Sequence, residues 1–287
     1  MPYAHHWRRA FRFPRGTGVS KSRAALVIPC YNEELRLPVD AFRSFTRADP
    51  VADLLLVDDG STDATWPLLQ RLVEAAPEHV SAIRLERNRG KAEAVRQGML
   101  LLLERGYQLV GFWDADLATP LDAVRRFIRV LARHPEVQWV LGARVRLLGR
   151  AIERRQVRHY LGRVFATMAS MVLGVPIYDT QCGAKLFRAT PTLSAVLERP
   201  FLSRWIFDVE MIARFTQVDA HRDVTHAIYE VPLREWHDVR GSKVRPQDFA
   251  KALLELVRLR ASLLAPHHFP EAGAVAHPFV GEPSNTT

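Results

Sequence analysis

Only two cysteines, Cys30 and Cys182, occur in 287 residues. That is too few for a disulfide framework, and the expected setting is a reducing cytoplasm. Long apolar runs are missing as well. The longest mostly apolar stretch, Val164 to Ile177, is interrupted by Thr167, Ser170, Gly174 and Pro176. It falls short of the ~20 residues a membrane span requires, so no transmembrane helix is expected. The opening segment MPYAHHWRRAFRFPRGTG is basic and aromatic, without the apolar stretch and small-residue cleavage site of a secretory signal. Internal repeats and zinc-finger spacings are absent, and no aromatic alternation accompanies the basic stretches, so a nucleic-acid partner is not expected.

What is present is an ordinary globular composition, 48% hydrophobic and 25% charged, sufficient for one large α/β domain. Residues 1–22 read as a basic N-terminal extension, 23–264 as the domain, and 265–287, rich in Pro, Gly and Ala without periodicity, as a disordered tail. The net charge of +9 points to anionic lipid, nucleic acid or phosphorylated partners without choosing among them. Its distribution is uneven. Residues 144–163 hold seven arginines against one acid, Glu153; a solvated helix face is one reading of such a run, and a phosphate-binding surface is the other.

From residue 24 short apolar runs alternate with amphipathic stretches: AALVIP, DLLLVDD, SAIRLE, QLVGFWDAD and QWVLGA, each followed by a helical pattern. Strands apolar throughout, separated by helices of 10–15 residues, signify βαβ units and a mostly parallel sheet covered on both faces. After about residue 178 the units shorten to DTQCGAKLF, RWIFDVEMIARF, AIYEVPL and a long helix from Pro246. Ligands of open α/β sheets bind beyond the carboxyl ends of the strands, where this chain places YNEE, DDGSTD, NRGK and DAD. Those four loops are expected to converge on one site.

Asp114 and Asp116 close an apolar strand. Alternate residues share a strand face, so both carboxylates can enter one cavity; two hard oxygen donors without His or Cys suit Mg²⁺ or Mn²⁺ completed by water and diphosphate oxygens. Their alternative role is helix capping, a task the spacing assigns instead to Thr119 ahead of Pro120. Asp58 and Asp59 close a second strand before Gly60, and Ser61-Thr62-Asp63 is expected to cap the helix that follows. Arg89, Gly90 and Lys91 offer a diphosphate a close backbone and two cations. A phosphatase of the haloacid dehalogenase type also uses Asp-x-Asp, but it wants Thr or Val where Ala118 stands and opens its first strand with the motif.

VIPCYNEELRL, LLLVDDGSTDAT, NRGKAEAVRQGML, FWDADLATP, DTQCGAKLF, RWIFDVEMI and EVPLREWHDVRGSKV, in this order, resemble the inverting family 2 glycosyltransferases with the GT-A fold, a Rossmann-like, mostly parallel sheet flanked by helices. Within them the likeness is to the dolichyl-phosphate β-glucosyltransferase branch. The resemblance implies that Pro29, Tyr31, Asn32 and Glu33 contact the uracil and ribose of a UDP-hexose, with Asp58 or Asp59 at the base edge. It places Lys91 at the diphosphate, Asp114 near ribose and sugar, and Asp116 as the principal metal ligand. Related mannose synthases carry a Gln ligand where this chain has Ala118, which leaves His237 as a weak substitute. Asp208 or Glu210 would serve as general base toward an alcohol; toward a phosphate acceptor, already ionised at neutral pH, they and Asp179 would position sugar hydroxyls.

The implied acceptor is a polyprenyl phosphate, with Arg144, Arg154, Arg163 and Lys243 as candidates for its phosphate. The arginine-rich helix would lie peripherally on an anionic cytoplasmic membrane face. Many bacterial relatives add carboxyl-terminal membrane helices that have no counterpart in this sequence, so a soluble or sugar acceptor is the alternative.

Overall fold

The computed structural model describes residues 24–47, 50–149, 151–153, 156–204, 206–218, 224–237 and 246–264. The expected N-terminal extension, the expected tail, Arg154 and Lys243 lie outside them, as does the side chain of Arg163.

The strands β1 (Ala24–Cys30), β2 (Asp53–Asp58), β3 (Val80–Arg84), β4 (Leu109–Trp113) and β5 (Trp139–Ala143) fall on the apolar runs. A short β6 (Ala151–Glu153) precedes β7 (Ala184–Arg188), β8 (Ile228–Pro232) and β9 (Glu235–His237). Seven strands form one sheet in the order β3-β2-β1-β4-β7-β5-β8, and β6 pairs with β9 apart from it. All pairings in the large sheet are parallel except those of β7, which runs antiparallel between β4 and β5. Insertion of β7 was not legible in the sequence. A pentapeptide strand carries no sign of its direction, and β7 reaches its place only through the long excursion after β5.

Two-residue periodicity divides the core. In β1, Ala24, Leu26, Ile28 and Cys30 enter one cluster, while Ala25 and Val27 enter the other; β2 sorts Leu54 and Leu56 from Leu55 and Val57 in the same way. The first face is covered by α1 (Val39–Arg47), α2 (Thr65–Ala75) and α4 (Val124–Arg133), which contribute Phe42, Leu69 and Phe127. Opposite lie α3 (Lys91–Glu104), α6 (Pro191–Glu198) and α7 (Phe207–Val218), with Met99, Leu193 and Met211. A third cluster, including Phe165, Val209 and Leu256, joins α7 to α5 (Gln156–Leu173) and α9 (Pro246–Leu264).

Two capping expectations need correction. Thr119 makes no cap: α4 is entered through a 3₁₀ turn at Leu121–Ala123 with no side-chain cap bond, and the Thr119 carbonyl accepts the Trp113 indole N–H at 2.8 Å. Of Ser61, Thr62 and Asp63, only Asp63 serves the start of α2, accepting the Thr65 N–H at 3.0 Å. Serine and threonine at these positions are drawn instead into contacts between loops, which local sequence cannot foresee.

The edge of the sheet opposite the polar loops is pinned by Asp53, the buried first residue of β2. It accepts the Tyr107 hydroxyl at 2.8 Å and sits 3.0 Å from His79 Nδ1. Burial, reinforced by the Asp53 charge, pushes the Tyr107 phenol well above its usual range. Replacing Tyr107 with Phe removes one donor from a buried carboxylate and is expected to cost about 1–3 kcal/mol. Thermal unfolding should register it as a drop of roughly 2–4 °C per kcal/mol in a domain of this size.

Candidate active site

The loops after β1, β2 and β3 are stitched together by their own polar side chains. Asn32, in the left-handed region at φ 49, accepts the Thr62 N–H at 2.9 Å and donates its own N–H to Ser61 Oγ at 3.0 Å. The Glu33 N–H reaches Thr65 Oγ1 at 2.7 Å. Asp58 is wholly buried, accepting the Ser61 N–H at 2.9 Å with Arg84 Nε 3.0 Å from its second oxygen. Asp59 accepts the N–H groups of Arg89 and Gly90 at 2.7 and 2.8 Å. Its desolvation outweighs those bonds and raises its carboxyl above the ordinary range. Gly60 completes the junction: at φ +68, a Cβ there would come within 2.7 Å of the Arg87 backbone. Asp58 and Asp59, expected at the base edge, also tie these loops to each other, and Pro29 and Tyr31 stand partly open beside them.

Asp114 and Asp116 follow β4 directly. Lys91, the first residue of α3, places Nζ 2.5 Å from Asp114 Oδ1. Desolvation pulls the Lys91 ammonium down, but Asp114, Asp208 and Asp116 overcome it and hold the group above the usual lysine range. Asp116 accepts the Ala118 N–H at 3.1 Å through Oδ1, and its Oδ2 lies 3.2 Å from the Arg36 guanidinium. Burial, then the Asp114 charge, pushes the Asp116 carboxyl upward. Between the acid pair and α4, Leu117 adopts φ 49, a costly conformation for a branched side chain. The antiparallel neighbour supplies a glycine: Gly183 accepts the Asp114 N–H at 2.9 Å, and a Cβ at position 183 would overlap the Asp114 carboxylate.

The later half of the chain surrounds this pair with ion-paired carboxylates. Asp179 takes Arg144 bidentately at 2.7 Å through each oxygen, and Arg144 lies 5.4 Å over the Trp236 ring. Desolvation opposes the Arg144 charge, but Asp179 more than offsets it and drives the guanidinium further up. The Tyr178 and Asp179 N–H groups are held by Glu230 of β8. In the first turn of α7, Asp208 pairs with buried Lys185, whose ammonium also reaches the Cys182 carbonyl. Glu210, two residues on, turns elsewhere: it accepts the Leu202 and Ser203 N–H groups at 3.0 and 2.9 Å and binds Arg214 at 2.6 Å. Asp208 is thus brought toward Lys91 and Asp114, whereas Glu210 fastens the loop ahead of its helix. His237 is placed beside the acid pair by its backbone, which donates to the Ala118 carbonyl at 3.0 Å. Among the described residues no group of three His, Cys, Asp or Glu could hold a metal.

Two neighbouring carboxylates, one with its carboxyl raised by burial and then by the other's charge, form an oxygen-only donor set that suits Mg²⁺ or Mn²⁺ when water and diphosphate supply the rest of the shell. Sequence reasoning missed Arg36, Arg84, Lys185 and Glu230. Arg36 stands in YNEELRL and Lys185 in DTQCGAKLF, both inside motifs already singled out, but nothing in their spacing indicates which acid each would meet.

The glycosyl transferase family 2 model matches residues 25–192. A dolichyl-phosphate beta-glucosyltransferase of Drosophila melanogaster is 31% identical, over 84% of this chain and 75% of its own. One from Saccharomyces cerevisiae is 32% identical over the same shares. Among solved structures, glucosyl-3-phosphoglycerate synthase from Mycobacterium tuberculosis, in complex with Mn²⁺, uridine-diphosphate and glucosyl-3-phosphoglycerate, superposes with a TM-score of 0.57. It is 19% identical, covering 85% of this chain and 80% of that one. The same synthase has been crystallised with Mg²⁺ and uridine-diphosphate.

The Lys185–Asp208 pair is buried at both ends. Lys185→Met should cost about 3–5 kcal/mol by stranding a buried carboxylate, and Lys185→Met with Asp208→Leu should recover much of that loss. Denaturant unfolding of the two variants measures the difference.

Proposed function

We propose, for a chain that belongs to glycosyl transferase family 2, that it moves glucose from UDP-glucose to a polyprenyl phosphate at an anionic membrane surface. The observation that carries this reading is the acid pair Asp114–Asp116 at the carboxyl end of β4, faced by Lys91 and Arg36. The names of the curated relatives supply the acceptor class, and the neighbours' complexes with uridine-diphosphate and Mn²⁺ or Mg²⁺ agree with the donor and the cation.

Asp114 and Asp116 would hold the divalent cation, which neutralises charge on a departing diphosphate. Lys91 adds a fixed positive charge on the same side, held in place by the aromatic rings of Phe112 and Phe207 at 5.9 Å. Pro29, Tyr31, Asn32 and Glu33 line the nucleotide end, on loops that Asp58 and Asp59 make rigid. The three carboxylates considered as general bases are each engaged by a cation: Asp179 by Arg144, Asp208 by Lys185 and Glu210 by Arg214. Ion-paired carboxylates are poor bases, which suits an acceptor that arrives already ionised. Arg144, being committed to Asp179 and Trp236, orients that carboxylate toward the sugar; the acceptor phosphate would be met by Arg154, Arg163 and Lys243.

The membrane reading draws on exposed apolar side chains. Leu147 and Leu148 stand in the loop after β5, Val164 and Met171 on α5, and Leu254 and Val257 on α9, beside exposed Lys251 and Arg258. No helix among the described residues is long and apolar enough to cross a membrane, so contact would be peripheral.

Incubation with radiolabelled UDP-glucose and polyprenyl phosphate should move label into the organic phase. Transfer only to water-soluble acceptors would favour the alternative, and no transfer from any nucleotide sugar would leave a binding module. Asp116→Ala should lower turnover by about 10²-fold or more, the equivalent of several kcal/mol of lost charge stabilisation; full wild-type activity in EDTA would refute the metal. Replacing Arg154, Arg155 and Arg158 with Gln should weaken binding to anionic vesicles by roughly 1 kcal/mol per charge near the surface. It should also raise the KM for polyprenyl phosphate and leave UDP affinity unchanged. Wild-type behaviour of this triple variant in both assays would return the arginines to a solvated helix face.

A further inference from the structure

Arg36 lies in the turn after β1, where its N–H and that of Leu37 both donate to the Glu33 carbonyl, at 2.9 and 2.8 Å. The turn delivers the guanidinium across the site to Asp116 Oδ2 at 3.2 Å, with Glu33 Oε2 3.6 Å from its other nitrogen. The oxygens of Asp116 are thereby divided: Oδ1 takes the Ala118 N–H, and Oδ2 takes Arg36. Oδ2 is the oxygen that Asp116 could turn to a divalent cation. A guanidinium on that oxygen and a doubly charged cation beside it repel strongly in a partly desolvated site. The Arg36 pose is also incomplete, because its Nε is buried without a hydrogen-bond partner among the described residues, a deficit that makes the guanidinium easier to displace. Glu33 is near enough to keep its charge compensated when it moves.

We propose that Arg36 competes with the divalent cation for Asp116, so that the site resists a bare metal ion and yields to one that arrives on a diphosphate. The inference rests on the reading of Asp114 and Asp116 as metal ligands and adds the residue that sets their affinity. Lys91 cannot substitute for Arg36, since it approaches Asp114, the other carboxylate of the pair. The opposite role for Arg36 is that of a support which orients Asp116 and strengthens the metal site. The two roles predict opposite signs.

The test is a titration of the purified protein with Mn²⁺ in the absence of nucleotide, following free Mn²⁺ by electron paramagnetic resonance. Arg36→Gln should bind Mn²⁺ roughly five- to tenfold more tightly than wild type, as expected from removing one nearby positive charge. Arg36→Met, which keeps the aliphatic stem, should behave likewise, and Arg36→Lys should remain near wild type. Thermal melts of each variant confirm that it is folded. Mn²⁺ affinity in Arg36→Gln and Arg36→Met equal to or weaker than wild type overturns the competition. Asp116→Asn separates the two levels of the argument. Loss of Mn²⁺ binding in that variant, with no gain in the Arg36 variants, removes only the role given to Arg36. Unchanged binding in Asp116→Asn removes the metal reading and the competition together.

Discussion

Asp114 occupies the volume that a side chain at position 183 would fill. Its carboxylate can stand at the end of β4 because the antiparallel β7 begins beside it after a glycine, and the hydrogen bond from the Asp114 N–H to the Gly183 carbonyl fixes that register. The rest of the site is arranged around the consequence. A carboxylate so placed draws Lys91 from the start of α3, adds to the burial that raises the Asp116 carboxyl and gives the loop between β4 and α4 its polar face. Leu117 is held at positive φ between these acids and Ala118, where His237 ties the distant β9 strand to the same loop.

Charge compensation then organises the surroundings. Asp58 lies against Arg84, Asp114 against Lys91, Asp116 against Arg36, Asp179 against Arg144, Asp208 against Lys185 and Glu210 against Arg214. Buried charges persist when they are paired and hydrogen-bonded, so these six cations serve the chain's own acids. The pairs differ in what they can release. Lys185 and Asp208 are sealed in the core, whereas Arg36 and Lys91 hold partly exposed carboxylates. This division separates scaffold from working surface more sharply than residue type does.

Hydrogen bonds between loops recur around the site. Asp58, Asp59 and Glu210, acids at strand ends and a helix start, accept backbone N–H groups of neighbouring loops. Those loops are stacked at one sheet edge, where exposed N–H groups need acceptors. Thr119 fails as a cap for the same reason, its carbonyl being taken by the buried Trp113 indole. An acid that satisfies the scaffold and one that meets a ligand have the same local sequence signature.

Several features needed no coordinates. Uninterrupted apolar runs at β1, β2 and β4 can be satisfied only by strands buried on both faces, so the parallel sheet and its two helical layers follow from hydrophobic periodicity. The polar clusters after those strands had to meet at one edge, because parallel strands end on the same side. The acid pair at Asp114 and Asp116 was legible for that reason. Tertiary structure alone decided that β7 runs antiparallel beside β4, that Gly183 makes room for Asp114, and which cation each acid receives. Lys185 and Asp208 are separated by 23 residues and Arg36 and Asp116 by 80. Such pairings are set by where whole strands and helices pack, a choice that spacing along the chain does not encode.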